Sequence, residues 1–200
     1  MTDQSDPRKL IRQLYREVDV FEIPREEELI VVGTKGSPVY GELTPAATGH
    51  LLNYLELGET DVFYDLGSGS GKVVLQAALT TPARKCVGIE LAETRVAQAR
   101  RVLAVARQRG LLKAKACGFR HEDILTTYLQ DATVIYTCST AFSHRFMNLV
   151  ASRVAGLGRT LKFVTLQELD PDRRFIEEHT LRLDVSWTRR TPVYVYLVEP

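Results

Sequence analysis

Apolar residues in this chain recur with two distinct periods, and from about residue 60 onward the two alternate. Short β-rich apolar runs predict strands at 61–66, 85–90, about 114–119, 132–138 and 159–165. Between them, apolar residues at helical spacing predict helices at 71–80, 93–109 and 143–155, with a short one at 124–130. Two last runs, near 179–188 and 192–199, predict an antiparallel hairpin. Strands alternating with helices build a doubly wound sheet. The expected fold is therefore α/β and Rossmann-like, with a seven-stranded sheet that is mostly parallel and ends in an antiparallel C-terminal pair.

The first 60 residues read differently. Leu10, Ile11, Leu14, Tyr15 and Val18 form a helical stripe among charges, predicting a lid or packing helix over 7–21. Glu28 to Gly33 reads as a short strand and Gly36-Ser37-Pro38 as a turn. Thr44 is placed to cap a helix over 45–57, with Pro45 in its first turn. The expected organisation is an N-terminal helical or lid extension over 1–37 and a main domain over 38–200, with no linker to a second globular unit.

Composition narrows the classes of partner. With 44% hydrophobic and 26% charged residues, 200 residues suffice for one sizeable core. A net charge of +1 and no basic run at either end argue against strong nucleic-acid binding. No apolar segment reaches membrane-spanning length and the start of the chain is polar, so a cytoplasmic protein without membrane attachment is expected. Cys86, Cys117 and Cys138 lack metal-ligand or disulfide spacing, so no metal site is expected.

Candidate chemistry concentrates in Asp65-Leu66-Gly67-Ser68-Gly69-Ser70-Gly71-Lys72, set between a predicted strand and helix. Glycine permits a sharp turn at positive φ and leaves no Cβ between main chain and ligand. A P-loop needs four residues between its first glycine and Gly-Lys-Ser/Thr, whereas three separate Gly67 from Gly71 and Val73 follows Lys72. The dinucleotide pattern G-x-G-x-x-G puts its third glycine at position 72, which is Lys. What remains is G-x-G-x-G behind a strand-end carboxylate, which repels phosphate and attracts an ammonium group. Glu90, ending the next strand, is spaced to hydrogen-bond ribose hydroxyls. Asp123 follows a third strand and could accept from an adenine amino group, with Ile124 as an apolar edge. These groups converge at the carboxyl edge of the predicted sheet and make S-adenosylmethionine, with S-adenosylhomocysteine as product, the expected cofactor.

Several stretches together resemble the disruptor-of-telomeric-silencing family of protein lysine methyltransferases, which do not use a SET domain. The resemblance covers roughly residues 38 to 198 and rests on Val39-Tyr40-Gly41-Glu42, Asp65 through Ala78, Gly88-Ile89-Glu90, and Val185-Ser186-Trp187-Thr188 followed by Pro192-Val193. It implies a class I S-adenosylmethionine fold in which Tyr40, Gly41, Glu42 and Leu43 close over the methionine part of the cofactor. It implies further that Asp65, Gly67, Ser68, Gly69, Gly71 and Lys72 cradle the cofactor, Glu90 holds the ribose, and Asp123 and Ile124 bracket adenine. Cys138 to Phe142 would line the substrate channel. There the chain departs from the family's paired asparagine and Phe-Ala-Phe, presenting Cys138-Ser139-Thr140-Ala141-Phe142. Val195 stands where the family has a strand tyrosine, with Tyr194 and Tyr196 on either side.

Methyl transfer requires near-attack geometry more than a general base. An apolar channel lowers the pKa of a lysine amine and supplies its neutral form. Phe142, Trp187 and Tyr194 are the candidate walls, with Cys138, Ser139 and Thr140 beside them. The expected acceptor is a protein lysine, and the lack of a basic extension sets nucleosomal histone aside. A small-molecule acceptor on the same fold and a cofactor-binding homologue without turnover are the alternatives. An NAD-dependent oxidoreductase ranks last.

Overall fold

The computed structural model describes residues 6–18, 23–34, 37–38 and 41–200. Two helices open the chain, α1 (Pro7–Leu14) and α2 (Arg25–Gly33), and α3 (Pro45–Leu55) follows. Then come β1 (Val62–Leu66), α4 (Lys72–Thr80), β2 (Lys85–Glu90), α5 (Glu93–Gln108), β3 (Cys117–His121) and β4 (Val134–Thr137). A short 3-10 turn at Ser139–Ala141 leads to α6 (His144–Ala155), β5 (Leu161–Thr165), β6 (Phe175–Leu183) and β7 (Thr191–Val198). The sheet order is β3-β2-β1-β4-β5-β7-β6. Pairing is parallel from β3 through β5 and antiparallel where β7 joins β5 and β6. The expected seven-stranded Rossmann-like sheet with its antiparallel C-terminal pair is the observed one.

Both faces of the sheet are covered, so the central strands are buried along their whole length. Alternation divides them: Phe63 of β1 joins a core with α1, α3, α4 and α5, while Val62, Tyr64 and Leu66 join a second core with α6. Leu10, Ile11 and Tyr15 belong to the first of these cores, so α1 packs directly on the sheet's helical layer. At the sheet edge, Arg100 Nε and Nη2 of α5 donate to the Phe119 carbonyl at 3.1 and 3.0 Å, and Arg107 donates to the Cys117 carbonyl. These side chains occupy edge carbonyls of β3 that would otherwise be open to pairing with another chain. Among the described residues no helix is long and apolar enough to cross a membrane.

Four expected elements differ. The strand expected at 28–33 is part of helix α2. Pro24 precedes it, Glu26, Glu27 and Glu28 fill its first turn where the helix dipole favours acids, and of its apolar run only Val31 is buried. The helix expected at 124–130 is a turn. Asp123 Oδ1 accepts from the Leu125 N–H at 2.8 Å, its carbonyl accepts from the Thr126 and Thr127 N–H groups, and the β-branched pair stiffens against a helix. The first helix ends at Leu14 rather than continuing to residue 21, of which residues 19–21 lie outside the described set. Strand β6 runs 175–183 rather than 179–188, because residues 184–186 leave the hairpin to pair with the 42–44 loop.

Gly71 shows how tightly the glycine turn is packed. It sits at φ +83°, and a Cβ there would lie 2.3 Å from a Phe119 ring carbon and 3.1 Å from Ala99 Cβ. Replacing Gly71 with Ala combines a left-handed strain with a core clash. Gly71→Ala is expected to lower stability by about 2–4 kcal/mol in urea unfolding, and a change within about 0.5 kcal/mol would contradict this packing.

Candidate active site

The period of two that fills the cores also gathers the acids. Asp65 lies two residues beyond Phe63 on β1, Glu90 two beyond Gly88 on β2, and Tyr136 two beyond Val134 on β4. Register places Asp65 opposite both Gly88 and Tyr136, so these side chains share one face at the carboxyl ends of the strands. A cavity of about 850 Å³, partly open to solvent, occupies this crevice. Its place is the expected one for a ligand site on an open α/β sheet.

The glycine turn forms the floor. Gly67 and Gly69 adopt φ +79° and +53°, and both line the cavity with Asp65, Ser68 and Lys72. The Gly67 and Ser68 N–H groups both donate to the Ile89 carbonyl at 2.9 Å. Glu90 completes the turn: Oε2 accepts from the Gly69 N–H at 2.8 Å, while Oε1 accepts from the Leu91 and Ala92 N–H groups at 2.9 Å. One carboxylate therefore joins the turn after β1 to the start of α5, and its Oε2 keeps lone-pair capacity for a ligand. Gly71 does not line the cavity; its role is the contact with Phe119.

Electrostatically the cavity is incomplete. Asp65 is buried and its Oδ1 has no hydrogen-bond partner. Burial first, and the negative charge of Glu90 second, push the Asp65 carboxyl well above the ordinary carboxylate range. Ser68 Oγ and Tyr136 Oη are likewise buried without a well-formed hydrogen bond. Lys72 Nζ is committed to Glu42 Oε1 at 2.5 Å, over the Tyr15 ring. The lining carries Asp65, Glu42, Glu90 and Asp123 against two cations, Lys72 held by Glu42 and Arg95 held by the Pro38 carbonyl, so the balance suits a ligand that brings a positive charge.

The roof comes from residues the sequence reading passed over. Val31 and Thr34 of the α2 region, with Ser37, line the cavity. Glu27 holds α2 in place, its carboxylate accepting from the Thr94 N–H at 3.1 Å and from Thr94 Oγ1 at 2.6 Å. Helix α5 has no side-chain cap of its own at Ala92, so Glu27 supplies the missing acid from a distant segment. Arg95 Nη2 donates to the Pro38 carbonyl at 2.8 Å, and the Tyr15 hydroxyl donates to the Ser70 carbonyl at 2.8 Å. Tyr136 was also missed, although strand alternation from the chosen Cys138 would have placed it on the same face. The α2 contacts left no comparable signal.

Of the remaining expected residues, Gly41, Glu42, Asp123, Ile124, Cys138 and Phe142 line the cavity. Tyr40 lies outside the described residues. Leu43 is buried behind the loop and bridges to Val185, while the Ser186 N–H donates to the Glu42 carbonyl at 2.9 Å. Trp187 is half exposed and lies over Gly41, where a Cβ would approach its ring to 2.1 Å. Only glycine permits that contact. Ser139 is buried and faces away: its Oγ pairs with Thr165 Oγ1 at 2.7 Å and accepts from the Leu166 and Gln167 N–H groups at 3.1 Å. Thr140 is exposed. Tyr194 sits on β7 stacked with Tyr196 at 6.3 Å, away from the cavity, and Val195 between them is buried. The Cys138 thiol is pushed up to about 12, chiefly by burial and then by Asp65, so it stays protonated.

The chain is similar to known proteins in sequence and in fold. Residues 22–198 match the family described as Histone methylation protein DOT1. Relatives include histone-lysine N-methyltransferases, H3 lysine-79 specific, of Drosophila melanogaster (29% identical over 185 residues) and Candida albicans (30% over 186). In each case 80% of this chain is covered, and it spans only 10% and 14% of those proteins. Among solved structures, an RNA methyltransferase from Salinibacter ruber in complex with S-adenosyl-L-homocysteine is 26% identical with a TM-score of 0.61, covering 77% of this chain and 91% of that one. A methyltransferase from Geobacter sulfurreducens shares the fold at 14% identity and a TM-score of 0.58, over 98% of this chain and 90% of its own. The names of the two relatives run against the expectation that set nucleosomal histone aside. With the family's motifs, its fold and the match over residues 22–198 in agreement, the chain belongs to the DOT1 histone methylation protein family.

Proposed function

We propose that this chain is an S-adenosylmethionine-dependent methyltransferase whose acceptor is the side-chain amine of a protein lysine. The observation that supports the donor most strongly is Asp65: a buried carboxylate with an unpartnered oxygen, beside a glycine turn, on the wall of the cavity at the carboxyl ends of the strands. A buried charge of this kind is tolerated when a ligand brings the partner. The family match supports the methyl acceptor class.

On this reading Asp65 takes the ammonium of the donor, Glu90 the ribose hydroxyls, and Asp123 with Ile124 the adenine edge. Gly67 and Gly69 let the ligand lie against the main chain. Glu42, pinned to Lys72 and backed by the 184–187 segment, holds the 41–44 loop over the methionine end. When bound, S-adenosylmethionine supplies an electrophilic methyl group on a sulfonium. Phe142, edge-on to Phe146 at 5.0 Å, presents an apolar wall beside it. Cys138 and Tyr136 stay protonated at neutral pH, Tyr136 also raised chiefly by burial, so neither serves as a base. The acceptor amine becomes neutral through desolvation and releases its proton toward the open side of the cavity. Half-exposed Trp187 does not line the cavity itself but lies over Gly41, which does.

Asp65→Asn should weaken S-adenosylhomocysteine binding by about 2 kcal/mol or more, roughly thirtyfold, in calorimetric titration. The same change should raise the stability of the ligand-free protein at pH 8. A carboxyl whose folded pKa lies above its unfolded value stabilises the fold at low pH and loses that contribution as pH rises through the folded value. The two proteins should therefore have matching urea midpoints near pH 4 and diverge above it; a less stable Asn variant at pH 8 would contradict the assignment. Incubation with methyl-labelled cofactor and cell lysate should yield methyl-lysine, and Phe142→Ala should slow that transfer roughly tenfold. Label found only in small metabolites would instead support a small-molecule acceptor, and label nowhere despite cofactor binding would support a homologue without turnover.

A further inference from the structure

Tyr136 is the largest polar side chain on the cavity wall with no solvent exposure, and its hydroxyl has no well-formed hydrogen bond. Its ring is held rigidly, stacked on Phe63 at 6.4 Å between strands β1 and β5. Register places Tyr136 directly opposite Asp65, and the two side chains project from the same face of the sheet. The charges that bear on the hydroxyl come from Asp65 on β1 and Glu42 on the 41–44 loop, with the Cys138 thiol beside it on its own strand. A buried hydroxyl without a good partner costs roughly 1–3 kcal/mol, and apolar phenylalanine would pack the same space without that cost. Cys138 Sγ stands beside it to take the hydroxyl's proton, while its oxygen meets no hydrogen-bond donor among the described residues.

We propose that the Tyr136 hydroxyl is a second ligand, with Asp65, of the ammonium group of the donor's amino-acid moiety. The proposal rests on the donor reading above and adds a positioning residue to it. The hydroxyl oxygen accepts a hydrogen bond from the ammonium, while its own proton is directed to Cys138 Sγ or Asp65 Oδ1. Two acceptors from adjacent strands fix the ammonium laterally. Asp65 alone would hold it from one side, by a charge-assisted hydrogen bond.

The test compares two ligands that differ in this moiety: S-adenosylhomocysteine carries the amino acid, and 5′-methylthioadenosine lacks it. Calorimetric titration of the parent protein and of Tyr136→Phe is expected to show roughly tenfold weaker S-adenosylhomocysteine binding in the variant with methylthioadenosine binding unchanged. Unchanged methylthioadenosine affinity also reports that the variant has folded. Equal S-adenosylhomocysteine affinity in the two proteins would overturn the proposal, as would a parallel loss for both ligands, which would place the effect outside the amino-acid end. If the variant does not fold, Asp65→Asn supplies the second comparison: the ligand preference of the parent for S-adenosylhomocysteine over methylthioadenosine must then exceed what Asp65 removal abolishes. Parent protein that binds neither ligand would sink the donor reading itself, a result distinct from the others.

Discussion

One buried carboxyl group organises the functional end of this protein. Asp65 closes strand β1 where both neighbouring strands and two helical layers exclude water, and the chain offers its Oδ1 no partner. Such a group costs stability unless something positive arrives. The surrounding structure is arranged to admit that something without supplying it. The glycine turn removes side chains from the approach, Glu90 spends three of its hydrogen bonds on backbone N–H groups to hold the turn open, and Lys72 is drawn aside to Glu42.

The second layer of organisation is a set of ties between segments far apart in sequence. Glu42 joins the 41–44 loop to the first residue of α4, and backbone pairing joins the same loop to residues 184–186. Trp187 seals that junction by lying where Gly41 has no side chain. Glu27 and Arg95 do the same for the roof, one from α2 to α5 and the other from α5 back to Pro38. Each tie is a charged or polar side chain meeting a backbone group or an opposite charge in partly buried surroundings, where such bonds are stronger than at an open surface. The cavity's shape thus depends on contacts that span the whole chain.

Much of this was legible from the residues alone, for a physical reason. Buried parallel strands require continuous apolar runs, and a ligand turn requires glycine at positive φ, so Val62 through Gly71 carries its conformation in its composition. The strand-end acids followed from the same logic. Where the reading failed, local composition pointed one way and distant partners another. Leu29 to Val32 looks like a strand, yet Pro24 and the acids after it start a helix there. Thr126 and Thr127 look helical by spacing, yet the Asp123 carboxylate turns the chain first. Ser139 stands in the motif expected to face the substrate, yet its hydroxyl is consumed by Thr165 and the 166–167 backbone. Tyr194 was chosen for chemistry that its place on β7 does not serve.

Burial shifts the Asp65 carboxyl of the ligand-free protein toward its protonated form, and an ammonium seated beside it would shift it back toward the ionised one. Calorimetric titration with S-adenosylhomocysteine in two buffers of different ionisation enthalpy counts protons exchanged on binding. Between the ordinary carboxylate value and the raised value of Asp65, binding should release a proton, and the release should fade toward alkaline pH where the carboxyl is already ionised. Binding that exchanges no proton at any pH in this range would contradict the account.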